Sequence, residues 1–400
     1  MKRRQFLQTS AVLSVPLFVP SAVLGRDGET APSEKIQMGL IGCGGRGTDN
    51  MQHFITFPQV QMIAVCDPVR EHRENAKTIV NRRNRNTDCA SLNDYRELLE
   101  LKAVDAVLIA TPDHWHCRIT VDACKKGKDV FCEKPETLTV REGREMADAV
   151  KKYNRVFSGG SQRVLDDYGN IPRLIWSGAI GKVQEVFAAC GGPSGDCNLE
   201  AQPVPDGVDW NMWIGPAPMR PFHQQLIKGN YRPYRDYSGG GMTDWGAHRF
   251  GAAMFATQHH YTGPVEIIPP DGKDVKHLTF VFKSGMKMYH VYDGDIIYKG
   301  TEGELPNGNR KDLSESELVE IPGYSGTGGF FGDFIDCVRT RKTPFRDIEA
   351  AHRATTVCHL GNIAYWLKRP LRWDPEAEVI IGDEEATTWL SRPNRNWEEG

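Results

Sequence analysis

A glycine-rich turn between a strand and a helix constrains the fold of this 400-residue chain more than any other feature. The apolar run Ile36–Ile41 leads into the motif G-x-G-x-x-G, and a helical stretch then reaches about Phe57. A second apolar run, Val60–Cys66, ends at Asp67, twenty residues beyond the last motif glycine. The motif glycines are Gly42, Gly44 and Gly47. This order predicts a dinucleotide-binding βαβ unit rather than a glycine turn in a nucleotide-free sheet.

The three glycines have separate roles in such a unit. Gly42 permits the tight turn, Gly44 lets the backbone approach the pyrophosphate, and Gly47 allows the helix to pack closely on the strand. The N–H groups at the start of the helix would bind the phosphates.

The acidic residue after the second strand bears on the choice of cofactor. Asp67 would accept hydrogen bonds from the adenosine ribose hydroxyls, and its charge would repel a 2′-phosphate. Arg46, inside the motif, is a further candidate for cofactor binding. Arg46 and Arg70 weaken the argument against NADP, because either side chain could pair with a phosphate. NAD is the predicted cofactor, with NADP as the alternative.

Two further apolar runs extend the predicted parallel sheet. Residues 106–110 lead into Thr111-Pro112, and Asp129–Cys132 leads into Glu133-Lys134-Pro135. Short buried strands that alternate with helices form parallel sheets, whose ligands bind beyond the carboxyl ends of the strands. We therefore predict an α/β fold with an N-terminal doubly wound Rossmann sheet over residues 33–160. The residues that follow strand ends and should converge are Gly42, Asp67, Thr111 and Glu133.

These residues together resemble the motifs of one family of oxidoreductases. The matching positions are Gly42 to Gly47, Asp67, Ala110-Thr111-Pro112 with His116, and Glu133-Lys134-Pro135. The family is that of glucose-fructose oxidoreductase, inositol dehydrogenase and rhizopine catabolism, called Gfo/Idh/MocA, and the likeness covers most of the chain. The resemblance implies that Lys134 lies at the nicotinamide and the substrate, and that the bond to Pro135 is often cis. It further implies that Thr111, His116 and Glu133 lie near the cofactor and that the protein is a homo-dimer or homo-tetramer.

The second half of the chain has a different pattern of predicted secondary structure. Strand-like runs at Val183–Ala189, 278–283 and 287–292 alternate with glycine- and proline-rich connections. This pattern resembles the family's C-terminal α+β domain, which is built on a mostly antiparallel open sheet and is expected here over residues 161–400. Amphipathic helices, which are candidates for packing back on the first domain, are predicted at 331–340 and 349–367.

The stretch from Gly239 to Phe250 carries the predicted acid–base pair. Asp244 and His248 are four residues apart and share one face if residues 244–256 are helical. Family members use an Asp-x-x-x-His pair of this kind together with the lysine. The match implies that His248 is the general base and acid, that Asp244 orients it or a substrate hydroxyl, and that Lys134 polarises the developing oxyanion. The alternative is a pair that only braces the helix.

Several other side chains are candidates for the substrate site. Gln162 and Arg163 follow a predicted strand and resemble residues that line the family's substrate cleft. Trp115 offers a ring that either stacks on a ligand or packs in the core, and Trp210 and Trp213 carry the same alternatives. No histidine pair has a third ligand at a diagnostic spacing, so no metal site is predicted.

The N-terminus predicts export. Arg3-Arg4 and a short apolar stretch to Leu24 look like a twin-arginine signal and leader over residues 1–32, with a frayed cytosolic terminus as the alternative. The apolar stretch is too short for a membrane anchor, so no stable membrane insertion is predicted. The expected location is the periplasm, which the folded chain would reach through the twin-arginine machinery. Cys190 and Cys197 are candidates for a disulfide formed after export.

Charge and cysteine content exclude other classes of protein. The chain has 49 Lys and Arg against 52 Asp and Glu, a net charge of −3, and no long block of like charge. A nucleic acid is therefore not a predicted partner. The ten cysteines contain no CxxC pair, which argues against a structural zinc site.

These features favour an oxidoreductase that transfers a hydride from a sugar, glycoside or cyclic polyol to nicotinamide. The cofactor is expected to be tightly bound, because an exported enzyme cannot rely on a periplasmic NAD pool. The alternative is a redox-neutral, NAD-dependent glycoside hydrolase or lyase that forms a transient keto-sugar. A binding protein with a vestigial nucleotide site is a third interpretation, which an intact Lys134, Asp244 and His248 disfavours.

Overall fold

The structure is a computed structural model that describes residues 34–161, 170–321 and 323–397. The expected export signal, and the substrate candidates Gln162 and Arg163, lie outside the described residues. Within those ranges, no helix is both long and apolar enough to cross a membrane.

The first sheet has six strands, all parallel, in the order β3-β2-β1-β4-β5-β6. Its strands are β1 (Ile36–Ile41), β2 (Val60–Cys66), β3 (Ala90–Leu92), β4 (Ala106–Ile109), β5 (Asp129–Cys132) and β6 (Phe157–Gly159). The order of the strands reverses between β1 and β4, and this reversal leaves a crevice at the carboxyl ends of the strands where a dinucleotide binds. The predicted Rossmann sheet is confirmed.

Helices cover both faces of this sheet. They are α1 (Gly45–Phe54), α2 (Arg70–Asn84), α3 (Tyr95–Glu100), α4 (His116–Lys125) and α5 (Val140–Lys152). Apolar residues of α1 and α2 pack on one face, and those of α3, α4 and α5 pack on the other. A short 3₁₀ turn, Asp113–Trp115, connects β4 to α4. The sheet is therefore doubly wound, as predicted.

The second sheet has eight strands in the order β12-β11-β7-β10-β9-β8-β13-β14. These are β7 (Val183–Ala189), β8 (Pro264–Ile268), β9 (Leu278–Phe282), β10 (Lys287–Val291), β11 (Ile297–Gly300), β12 (Glu304–Leu305), β13 (Leu371–Asp374) and β14 (Val379–Ile380). The pair of β7 and β10 is parallel, and every other pairing is antiparallel. The predicted mostly antiparallel C-terminal sheet is confirmed.

The remaining helices belong to the second half of the chain. They are α6 (Asn170–Trp176), α7 (Trp210–Ile214), α8 (Gln224–Ile227), α9 (Gly241–Asp244), α10 (Gly246–Ala256), α11 (Gly329–Thr340), α12 (Ile348–Leu367) and α13 (Glu384–Thr388). Helix α12 is almost entirely buried and packs against both α10 and α5. Helix α11 places Phe330 and Phe331 against Phe131 of β5, and Phe331 also contacts Phe54 of α1. The two halves therefore share apolar surface.

The helix predicted over residues 244–256 is interrupted. Helix α9 ends at Asp244, α10 begins at Gly246, and Trp245 lies between them. The N–H of His248 bonds to the carbonyl of Trp245, so it does not make the helical bond to the carbonyl of Asp244. That carbonyl instead accepts a hydrogen bond from Lys134 Nζ at 3.1 Å. Residues 244–256 are therefore not one continuous helix, because the backbone departs from the α-helical hydrogen-bond pattern at Trp245.

The disulfide considered between Cys190 and Cys197 is not formed. Both are buried free thiols. Cys190 packs with the core of the second sheet, whereas Cys197 belongs to a separate cluster around Trp210 and Trp213. Burial in different clusters keeps the two sulfur atoms apart.

Candidate active site

A cavity of about 510 Å³ opens at the carboxyl ends of the first sheet. The first domain lines it with the glycine motif, Arg46, Asp67, Thr111 and Trp115. The second domain contributes residues 226–232. The cavity thus lies where the reversal of strand order in the first sheet predicts a ligand.

The glycine motif has the geometry that a dinucleotide needs. Gly42 has a φ of +93°, and a Cβ there would lie 2.6 Å from the carbonyl of Ala110. A Cβ at Gly47 would come within 1.9 Å of the oxygen of Gly42, whereas one at Gly44 would meet no atom within 4 Å. No side chain caps the start of α1. The turn is therefore closed on its packed side and open at the helix N-terminus, which fits a bound pyrophosphate.

Asp67 lies at the end of β2 and shapes the loop beside it. Its Oδ2 accepts from the backbone N–H of Cys43 at 2.7 Å, and its Oδ1 accepts from the N–H of Val69 at 2.8 Å. His72 Nδ1 lies 3.5 Å from Oδ1, and the hydrogen bond to Asp67 raises the pKa of His72 above its ordinary value. His72 also lines the cavity, and no motif in the sequence singled it out.

His116 and Glu133 hold the segment that carries Lys134. The ring nitrogens of His116 lie 2.8 Å from the carbonyl oxygen of Pro135 and 2.9 Å from that of Thr111. Glu133 accepts from Asn50 Nδ2 at 2.7 Å and from the N–H of Lys134 at 3.2 Å. The Lys134–Pro135 peptide bond is cis. His116 and Glu133 were predicted to lie near the cofactor, and in this structure both are buried and hold the backbone around Lys134 in place.

Lys134, Asp244 and Arg232 form an ion-paired group. Lys134 Nζ donates to Asp244 Oδ1 at 2.6 Å, and Arg232 Nε donates to the same oxygen at 3.0 Å. Burial alone would raise the pKa of Asp244, but the two cations outweigh it and hold that pKa below its ordinary value. Asp244 is therefore an anion at neutral pH.

His248 lies on the first turn of α10 and is buried. Its Nδ1 is 3.0 Å from Oγ of Ser161, a residue just beyond β6. A residue at the end of the first sheet thus orients the imidazole. The structure brings His248, Asp244 and Lys134 into one region, although Asp244 is hydrogen-bonded to the two cations and His248 to the serine.

Two residues at this site were missed in the sequence. Arg232 lines the cavity while it binds Asp244, and its guanidinium carbon lies 5.0 Å from the ring centroid of Tyr231. Tyr231 also lines the cavity, and burial raises the pKa of its phenol above the ordinary value. It therefore stays a neutral hydrogen-bond donor. The two residues lie in an irregular segment with no periodicity and no motif, so no local signal could have found them.

Asp113 was also missed, although it follows Thr111-Pro112 directly. Its carboxyl group is buried and accepts from Ser238 Oγ at 2.6 Å. Burial raises the pKa of Asp113 to about 7, against the lowering effect of the bond from Ser238 and of the charge on Arg232. A carboxyl group that titrates near neutrality thus lies close to the charged group.

The tryptophans considered for stacking pack in the core. Trp115 borders the cavity, but it is buried and its Nε1 donates to the carbonyl of Trp213 at 3.0 Å. Trp210 and Trp213 stack on each other with ring centroids 4.8 Å apart. In the part of the chain that the structure describes, no group of three or more metal-ligating side chains is placed to hold an ion.

The fold and this site define a two-domain, dinucleotide-binding oxidoreductase. Residues 36–161 match the family model described as "Oxidoreductase family, NAD-binding Rossmann fold". Residues 191–399 match the model described as "Oxidoreductase family, C-terminal alpha/beta domain". The chain belongs to the Gfo/Idh/MocA oxidoreductase family, and the fit of the cavity agrees with a nicotinamide nucleotide as cofactor.

Individual relatives resemble the chain more weakly. It is 30% identical over 169 residues to a "Glycosyl hydrolase family 109 protein 1" of Shewanella sp. strain MR-4, and 29% identical over 169 residues to an "Alpha-N-acetylgalactosaminidase" of Shewanella oneidensis. Each match spans 38% of this chain and 37% of the relative's length. The structure of an aldose-aldose oxidoreductase from Caulobacter crescentus complexed with glycerol shares the fold, with a TM-score of 0.60 and 18% identity over 84% of this chain and 99% of that one.

Proposed function

We propose that this protein oxidises a hydroxyl group of a sugar, glycoside or cyclic polyol, with NAD as the hydride acceptor. The observation that carries the proposal is the ion pair between Lys134 and Asp244, which stands beside Arg232 at the edge of the dinucleotide cavity. An alcohol that loses a hydride must also lose its hydroxyl proton, so the site needs a cation for the oxygen and a base for the proton.

Lys134 and Tyr231 supply the donors for the substrate oxygen. The ammonium group stabilises negative charge as it develops on that oxygen, and the neutral phenol offers a second hydrogen bond. Asp244 holds the ammonium in place through both its carboxylate and its main-chain oxygen. Arg232 donates to the same carboxylate oxygen as Lys134, so two cations hold Asp244 in place.

His248 is the proposed base. Imidazole has an unperturbed pKa of about 6.5 and can take and return a proton near neutral pH. The contact between Ser161 Oγ and Nδ1 sets the orientation of the ring. Asp113, with its pKa of about 7, is a second group close to the site that can bind and release a proton near neutral pH.

NAD is the proposed cofactor, and it would supply a hydride acceptor at its nicotinamide ring. Arg46 and Lys228 both line the cavity, one from each domain, and would contact the two phosphates. Asp67 would bind the ribose hydroxyls and disfavour the 2′-phosphate of NADP. Residues from both domains line the cavity, and the larger contact area that they offer supports tight binding of the nucleotide.

A second candidate function is the redox-neutral cleavage of a glycoside. It is favoured by the similarity to the glycosyl hydrolase family 109 proteins. In this reaction the oxidised sugar has an acidic C–H next to its carbonyl, His248 removes that proton, and the glycosidic oxygen leaves. Water then adds, and the hydride returns to the sugar, so the cofactor ends in its starting state.

Two measurements on the purified protein distinguish these functions. Methyl glycosides are added, and the absorbance of the reduced nicotinamide is followed together with release of methanol. A lasting rise in absorbance supports net oxidation, whereas methanol release without a lasting rise supports cleavage. If neither occurs and no nucleotide accompanies the protein, both proposals fail and a binding protein is the better explanation.

We further propose that the chain is exported to the periplasm after folding, and that it assembles as a dimer or tetramer. Substitution of both Arg3 and Arg4 by Lys should keep the protein in the cytoplasm, as measured by cell fractionation. Sedimentation of the mature protein gives its mass directly, and a monomer would contradict the proposed assembly.

A further inference from the structure

Trp245 differs from every other tryptophan of this protein. All nine tryptophans lie in the described ranges, and Trp245 alone is exposed, at 43% of its surface. An indole exposed to water keeps a large apolar area hydrated, so a ligand that covers the ring gains free energy from the burial of that area. Such a residue is informative where it borders a functional site.

The position of Trp245 places it at the proposed reaction centre. Lys134 Nζ donates to the carbonyl oxygen of Asp244, and that carbonyl belongs to the peptide that joins Asp244 to Trp245. The indole ring centroid lies 5.7 Å from that of His248. The exposed ring is therefore next to Asp244 in the chain and near the imidazole of His248.

Arg249 braces the segment around Trp245, and the loop to which it is bonded follows a second exposed aromatic residue. The guanidinium carbon of Arg249 lies 5.9 Å from the indole centroid. Arg249 Nη1 also donates to the carbonyl of Gly294 at 3.0 Å and to Asp295 Oδ1 at 2.9 Å. These contacts tie α10 to the loop after β10, which begins with Tyr292, 61% exposed.

We propose that Trp245 is the platform on which a pyranose ring of the substrate stacks. The apolar C–H face of the sugar would cover the indole, so that a ring hydroxyl points at Lys134 and Asp244. Stacking of this kind gains from dispersion and from the negative face of the aromatic ring. The inference rests on the proposed function and narrows its substrate class to cyclic sugars that present an apolar face, as opposed to open-chain polyols.

The test compares Trp245→Ala and Trp245→Phe with the unaltered protein. The probes are methyl hexopyranosides and, as an open-chain polyol, sorbitol. Trp245→Ala should raise KM for the pyranosides by roughly 10- to 100-fold with kcat changed less than about threefold, and Trp245→Phe should restore most of the loss. Sorbitol, which has no ring face to stack on the indole, should be a poor substrate of all three proteins, with equal initial rates in each. Ile381→Ala is the matched control, because Ile381 directly follows β14 and its side chain is about as exposed as that of Trp245.

A binding measurement separates stacking from a purely structural role. Methyl hexopyranoside should quench tryptophan fluorescence in the unaltered protein and not in Trp245→Phe, while NAD binds both equally. If Trp245→Ala leaves the pyranoside KM unchanged in an active enzyme, the stacking proposal is overturned and the proposed function stands. If the unaltered protein oxidises a cyclic polyol but neither binds nor turns over any pyranoside, the platform proposal is overturned and the proposed function stands. If it acts on neither class of compound, the proposed function fails and the platform fails with it.

Discussion

The ammonium nitrogen of Lys134 lies 2.6 Å from Oδ1 of Asp244 and 3.1 Å from its main-chain oxygen, across 110 positions of the sequence. Lys134 follows the fifth strand of the Rossmann sheet, whereas Asp244 ends a one-turn helix of the second domain. The charged group therefore exists only when the two domains are packed together. The same lysine also binds the main-chain oxygen at which α9 ends, so the packing of the domains and the local backbone at Asp244 are linked.

Removal of the ammonium should abolish turnover without loss of nucleotide. We expect Lys134→Ala to lower kcat by at least about 10³-fold, because the developing oxyanion loses its cation. Fluorescence titration should show NAD binding within about threefold of the unaltered protein. Lys102→Ala, at an exposed lysine in a turn of the same domain, is the control. Turnover within tenfold of normal in Lys134→Ala would contradict the assignment.

Ser161 should act as a positioning residue for His248. Because Ser161→Ala removes the hydroxyl at Nδ1, we expect a fall in kcat of roughly 10- to 100-fold, little change in KM, and a shifted pH profile of kcat. Ser158→Ala is the matched control, since Ser158 is also buried and its hydroxyl has no hydrogen-bond partner among the described residues. Equal effects of the two substitutions would refute the role of Ser161.

Asp67 should make the protein prefer NAD to NADP. Its carboxylate lies in the cavity wall, where it would accept from ribose hydroxyls and repel a 2′-phosphate. We expect NADP to bind at least about tenfold more weakly than NAD. Asp67→Asn should weaken NAD and narrow that ratio, whereas Asp88→Asn, on an exposed loop, should not. Equal or tighter binding of NADP by the unaltered protein would show that the prediction is wrong.

Alanine substitutions at different glycines of the motif should change the free energy of unfolding by different amounts. A Cβ at Gly47 would lie 1.9 Å from the oxygen of Gly42, so Gly47→Ala must displace α1 or the turn. We expect a loss of about 2 kcal/mol or more in the free energy of unfolding. Gly45→Ala, where a Cβ meets nothing within 4 Å, should change that free energy by less than about 1 kcal/mol. Urea denaturation of both variants measures the difference.

Asp113 should make stability depend on pH between about 4 and 7. Burial raises the pKa of Asp113 from 3.8 to about 7, so the folded state keeps a proton that the unfolded state has lost. Stability from this group is full below about pH 4 and falls as pH rises towards 7, by on the order of 4 kcal/mol. His114, whose pKa burial lowers to about 3, has the opposite sign.

The measurement is therefore a difference between two proteins. The free energy of unfolding of the unaltered protein minus that of Asp113→Asn should fall by several kcal/mol from pH 4 to pH 7, because His114 contributes equally to both. The amide oxygen that this substitution introduces would still accept the bond from Ser238. A difference that stays flat across this window would contradict the buried, protonated carboxyl group.

The Rossmann half could be predicted because the residues that specify it lie close together in the sequence. The strand, the glycine turn and the acid at the end of β2 lie within about thirty residues, and each follows from steric or hydrogen-bonding needs that neighbouring residues reveal. Lys134, Asp244 and His248 were found only because their motifs resemble those of a family. The interruption at Trp245 was not predicted, since the helical pattern contains no sign that Lys134 takes a carbonyl of the helix.

The sequence by itself determined the class of this protein: a dinucleotide-binding sheet, a second domain with mixed strands, and a lysine that follows a strand end. Tertiary structure alone decided which side chains surround that lysine. Arg232, Tyr231 and Asp113 enter the site from irregular segments, and burial and charge at long range set their protonation. It also decided which tryptophan is exposed, because exposure depends on what the rest of the chain leaves uncovered, and no run of neighbouring residues encodes that.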